Sequence, residues 1–276
     1  MKRLFLNLGI ILFLIFAASC SKKDNIIDNP VSETTYVILK VNDEYANASR
    51  TKFLHKVLKD AYPFYKSLYP TYNFPILTLQ LSTESEWGTN LGGPPYGVPN
   101  YDEENCIIQI GVTKDAAANS MGYPIPETDE SLAEIDKIMI HEMGHYFFHN
   151  VVSAPEDEAF AWEFMATYFA INYLNENHGG WNMNVVKESK PEDINYRTVD
   201  DFNTMVIGVG VENYDWFQRR FLTLAKNLHT LKGKGLVDDF ISMYVVEKSN
   251  LPFIDFLKQQ DKTIVESWLE TLATSL

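Results

Sequence analysis

From Ile138 to Phe148 the chain reads IMIHEMGHYFF. Apart from His141, Glu142 and His145, every residue in that stretch is apolar, aromatic or glycine. Upstream, apolar residues recur at Leu132, Ile135, Ile138, Met139 and Ile140. This pattern predicts a helix that is hydrophobic around most of its circumference, and such a helix is buried. Whatever fold the chain adopts must therefore bury two imidazoles and a carboxyl group along with it. Unpaired buried charge is costly, so these groups need partners in the interior. Helical residues four apart lie on one face, a turn above each other, so His141 and His145 aim at a common point. Glu142 sits about 100° round the axis, beside that point but off the line joining the histidines.

The string His141-Glu142-Met143-Gly144-His145 has the form H-E-x-x-H, in which the two histidines bind a metal and the glutamate acts as general base toward a metal-held water. Ser131-Leu132-Ala133-Glu134 has the S-x-x-E form of a capping box and marks the helix start. Pro124 and Pro126 end whatever precedes it, and Asn150 suits its C-terminus. A second helix is expected over 155–170, with Ser153 as N-cap and Pro155 in the first turn. Catalytic zinc takes three protein ligands and one water. If the two helices pack antiparallel across a short loop, Glu158 comes level with His145 and is the favoured third ligand, with Glu163 and Glu156 as alternatives. The cluster Glu156, Asp157 and Glu158 also complements the N-terminal end of the helix dipole.

H-E-x-x-H followed by a second helix carrying glutamate resembles the gluzincin group of zinc metallopeptidases. Glu158-Ala159-Phe160-Ala161 is similar to strings around the third ligand in several of those families. The resemblance implies one zinc ion held by His141, His145 and Glu158, with Glu142 as base. The position four residues after Glu158 is Trp162, so the group that orients His141 is unassigned. The metzincin form does not fit, because Phe148 and Val151 stand where it needs glycine and histidine. His149 lies one turn beyond His145, rotated off the ligand line, and reads as a C-terminal helix histidine. His55, His178 and His229 have no partners at recognisable spacing. An oxyanion donor is also required; Tyr168, Tyr173, His178 and Tyr196 are candidates.

Residues 1–19 read as a targeting segment. Lys2 and Arg3 precede an apolar run from Leu4 to Phe16, and Ala17-Ala18-Ser19-Cys20 closes it. This resembles a bacterial lipobox, which implies cleavage before Cys20, lipid attachment there, and a place in the cell envelope, in the outer membrane of a Gram-negative bacterium. Residues 20–34 are polar and read as a flexible tether. Losing the leader leaves 21 cationic against 37 acidic side chains, a balance of −16. That charge disfavours nucleic acid, whose binding needs basic patches. The other cysteine, Cys106, sits in an apolar run and reads as a core residue, so no disulfide forms within the folded domain.

The remaining residues, 35–276, are expected to form one α+β catalytic domain. Strands are predicted over 35–42, 75–82 and 105–112, and a helix over 46–68 that bends at Pro63. The stretch from Trp87 to Glu104 reads as a long loop. Helix, strand, loop, strand and then the H-E-x-x-H helix is the order of the N-terminal half of a zincin, a small mixed sheet with the active-site helix against it. By that resemblance, residues 105–112 or the loop before them wall the cleft. From about 177 onward the chain is mainly helical, with patterns at 212–231, 236–247 and 251–274. Arg219 and Arg220 read as a solvated helix face, with a grip on a substrate carboxylate as the alternative. The function expected is a membrane-anchored zinc metallopeptidase acting on peptide or protein substrates. The alternatives are an amidase on cell-wall amides, or a non-catalytic surface lipoprotein that binds peptide, glycan or a partner through its 13% aromatic content.

Overall fold

In the computed structural model, the residues described are 36–90, 99–112, 134–152, 159–180, 198–205 and 211–274. They form an α+β fold with a four-stranded mixed sheet and a large helical part. The elements run β1 (Val37–Val41), α1 (Asp43–Ala46), α2 (Ser49–Leu68), β2 (Leu77–Ser82), α3 (Glu84–Asn90), β3 (Asn100–Asp102) and β4 (Ile107–Gly111). Then come α4 (Glu134–Val151), α5 (Ala159–Asn177), α6 (Val199–Met205), α7 (Val211–Lys232) and α8 (Gly235–Phe240). A π-helical segment, Ile241–Val246, leads on to α9 (Phe253–Gln260) and α10 (Lys262–Thr274). The segments 1–35, with the leader, Cys20 and the tether, lie outside the described residues. No described helix is long and apolar enough to cross a membrane.

The strand order is β1-β2-β4-β3, with the first three parallel and β3 antiparallel to β4 at the edge. Register places Leu79 beside Ile108, and Ile108 beside Tyr101, so these three share one face. Leu77, Leu79, Leu81, Ile108 and Ile110 are buried on that side. Alternating apolar residues made this strand face legible, and it packs against helices α2 and α4. Two elements depart from the expected loop over 87–104: Trp87 lies inside α3, and residues 100–102 form the edge strand β3. Three residues are too few to show a period of two, so pairing with β4 rather than local pattern makes that strand. Pro63 stands inside α2 as one continuous element.

Helices α4 and α5 are the centre of the molecule. Every residue from Met139 to Phe148 is buried, and so is every residue from Phe164 to Leu174. Their facing side chains include Phe147 and Phe169, whose ring centroids are 5.1 Å apart at a steep angle. Helix α2 covers α4 and α7 covers α5. The expected 251–274 helix is two helices, α9 and α10, divided at Asp261, whose side chain accepts from the Ile264 amide as a new N-cap.

Candidate metal centre

Three observations fix where His141 and His145 point. Arg50 on α2 pairs with the fully buried Asp136, five positions before His141, and so docks the N-terminal half of α4. Tyr65, also on α2, donates its hydroxyl hydrogen to the carbonyl of Ile140, 2.7 Å away. Then Gly144 lets α5 approach with no side chain between. A Cβ at position 144 would stand 2.7 Å from Ala166 Cα and 2.8 Å from its carbonyl oxygen. Contacts run in opposite directions along the two helices: Trp162 meets His149, Ala166 meets Gly144, and Thr167 meets His141.

This crossing brings Glu163 to the histidines. Its Oε2 lies 3.3 Å from His141 Nε2 and 3.5 Å from His145 Nε2. One ligand atom from each of His141, His145 and Glu163 falls within 4.8 Å of the others. Two atoms each 2.0–2.1 Å from a tetrahedral ion lie roughly 3.3–3.4 Å apart, so both carboxylate–imidazole distances match one edge of such a site. Two imidazole nitrogens and a carboxylate oxygen are a donor set that suits zinc and leaves a fourth position open.

The carboxylate of this cluster is therefore Glu163, which the sequence offered as an alternative to Glu158. Both Glu158 and Glu156 lie outside the described residues. The difference comes from the level at which the helices cross. With Gly144 opposite Ala166, position 163 falls beside the histidine turns.

The surroundings of the two histidines differ. His141 Nδ1 is 3.1 Å from the hydroxyl of buried Thr167. The tautomer that leaves Nε2 a lone pair for a cation puts the proton on Nδ1, where Thr167 Oγ1 accepts it. His145 Nδ1 is buried and has no hydrogen-bond partner among the described residues. Its ring is held by packing, edge-on to His141 at 4.7 Å and beside His149 at 6.1 Å. Glu163 Oε2 also accepts a short hydrogen bond from the side-chain amide of Gln218 on α7.

Charge follows this geometry. Burial would raise the Glu163 carboxyl, but the His145 charge and hydrogen bonds from both imidazoles hold it well below the usual range. Burial would lower His145; the Glu163 carboxylate outweighs it and raises that imidazole. Burial dominates at His141 and lowers it. Glu142 is pushed up to about 8, mainly by burial, with the neighbouring Glu163 charge adding to it. The His145 charge and a hydrogen bond from the Tyr101 backbone N–H act against that rise. Edge strand β3 therefore reaches the carboxyl of Glu142 directly.

The other residues singled out from sequence are placed as follows. Tyr168 donates to the Gly233 carbonyl at 2.7 Å and is fully buried. Tyr173 and His178 hydrogen-bond each other at 3.2 Å; Tyr173 lies ten positions beyond Glu163, about 15 Å along α5. The structure thus does not bring Tyr168, Tyr173 or His178 into the cluster, and Tyr196 lies outside the described residues. His149 pairs with Glu103 at 2.9 Å between Tyr101 and Trp162, and burial lowers it to about 4. His55 bonds the Val37 carbonyl, and His229 faces Asn175. Cys106 is half-buried against the core as a free thiol, with a positive φ of 55°. Thr167, Gln218 and the Tyr101 amide escaped sequence reasoning. Thr167 lies one turn after Glu163, a spacing that could have found it once Glu163 was chosen; for the other two no local signal exists.

Compared with known families and curated proteins, the chain matches no family model and no curated relative.

Proposed function

We propose that this protein is a zinc-dependent metallopeptidase of zincin-like, gluzincin type, with His141, His145 and Glu163 as ligands and Glu142 as general base. The observation that carries the reading is the convergence of Glu163 Oε2 on both Nε2 atoms at tetrahedral-edge distances. When bound, zinc supplies Lewis acidity toward a carbonyl and a water acidic enough to ionise near neutral pH. The chain's own residues do the rest. Glu142 is buried one position after His141, beside the point where both imidazoles and Glu163 converge, which is where a general base must stand. It takes up a proton from the attacking water and delivers it to the leaving amine. Thr167 fixes the His141 tautomer, and the buried faces of α4 and α5 keep the ligands in register. The leader and Cys20 support a lipid-anchored protein of the cell envelope, working on peptide or protein substrates that reach the membrane surface.

Metal analysis of purified protein tests the first part, with about one zinc per chain expected. Glu142→Gln tests the second. It should keep the metal and lose about 10²–10⁴-fold in hydrolysis of a fluorogenic peptide library, the range of a general base. Metal-free wild-type protein, or Glu142→Gln at full activity, would overturn the proposal.

A further inference from the structure

We propose that Gln218 is a positioning residue for the metal, contributed by the helical C-terminal part of the chain. The inference rests on the zinc reading above. Its side-chain amide donates to Glu163 Oε2, the same oxygen that faces both imidazoles. A glutamate side chain has three rotatable torsions, and its last one is soft. The histidines come from α4 and Glu163 from α5, so a donor on α7 pins the carboxylate from a third, independent direction. A carboxylate oxygen has two lone-pair positions, so Oε2 can keep the Gln218 hydrogen bond while offering its other lone pair to a cation.

The chemistry of position 218 matters as much as its place. An uncharged amide orients the carboxylate without neutralising it. Lysine or arginine there would supply its own cation to Glu163 and compete with the metal. A carboxylate would repel Glu163 across a buried contact. Gln218 is thus a donor that leaves the negative charge of the site for an external cation. It also couples zinc binding to the docking of α7 on α5, which would make the helical part a component of the metal centre.

The test uses the full mature chain and zinc itself. Gln218→Met keeps the side-chain length and removes the amide; Gln218→Ala removes both. Zinc affinity is measured by competition with a chromophoric chelator, geometry by the visible spectrum of the cobalt(II) form, and metal-free stability by thermal melting. Expected are zinc affinities about 10–100-fold weaker in both variants, an altered cobalt spectrum, and little change in metal-free melting. Gln218→Lys should melt at or above the wild-type temperature without metal and bind zinc more weakly still. Wild-type affinity and cobalt spectrum in the Met and Ala variants would overturn the proposal and leave the zinc reading standing. Failure of both variants to fold would also overturn it, because the residue would then be structural. Absence of zinc binding in the wild type would remove both readings together.

Discussion

Two sets of charged side chains are buried along α4, and they are completed differently. At its N-terminal end Asp136 meets Arg50, a cation against an anion, and α2 supplies the partner from within the chain. Arg50 is further covered by Phe53, whose ring centroid lies 5.2 Å from the guanidinium carbon. One to three turns later, His141 and His145 bring two imidazoles against the Glu163 carboxylate, which also accepts from the Gln218 side chain. The first set is an ion pair completed within the chain; the second is the donor set on which the zinc proposal rests.

The largest effect that tests this contrast is removal of Asp136. Asp136→Ala leaves the Arg50 guanidinium buried without its counter-charge, and breaking such a pair costs about 3–5 kcal/mol. Chemical denaturation should show that loss equally with and without zinc. A loss that zinc reverses would mean the two sets are one network, and the comparison would fail.

Next in size is the stabilisation expected of zinc at the proposed site. A ligand at one hundred times its dissociation constant adds about 2.7 kcal/mol to the folded state. Chelation should therefore lower the melting temperature of the wild type, and Glu163→Ala should melt the same with or without zinc. Glu158→Ala is expected to retain both the metal and the shift. If instead Glu158→Ala loses zinc and Glu163→Ala keeps it, the ligand assignment moves to Glu158.

The pair of histidines was legible because a spacing of four is a property of one helix. The carboxylate was legible only as a set of choices. Which glutamate reaches the histidines depends on how far α5 slides along α4, a tertiary quantity with no local signature. The same holds for Arg50 and Asp136, 86 positions apart in sequence, and for Gln218, 55 positions from Glu163. Strands β1, β2 and β4 could be read from period-two apolar residues, but edge strand β3 depends on its neighbour. The α+β class, the small sheet and the helical C-terminal part were all readable from pattern. What remained hidden were the contacts between elements, because binary pattern records which face is buried but not what buries it.

The smallest expected effect isolates that slide. Gly144 lies between the two histidines on α4 and faces Ala166 of α5. Gly144→Ala places a Cβ against Ala166 Cα, carbonyl oxygen and carbonyl carbon at 2.7, 2.8 and 3.1 Å. These are backbone atoms and cannot rotate aside, so the helices must part. Glu163 and Thr167, which flank Ala166 on α5, move with it and leave the histidines. Overpacking of this kind costs about 1–3 kcal/mol, and the better helix propensity of alanine returns up to about 1 kcal/mol of that. Zinc affinity should therefore fall while metal-free stability drops modestly, and the Arg50–Asp136 pair should be unaffected. Ala166→Gly in the same chain should not restore the metal, because it removes none of the clashing atoms. Gly235→Ala provides the control: no atom lies within 4 Å of a Cβ there, so it should leave both zinc affinity and folding intact. Equal losses from the two glycine substitutions would show that helix crossing does not set the ligand geometry.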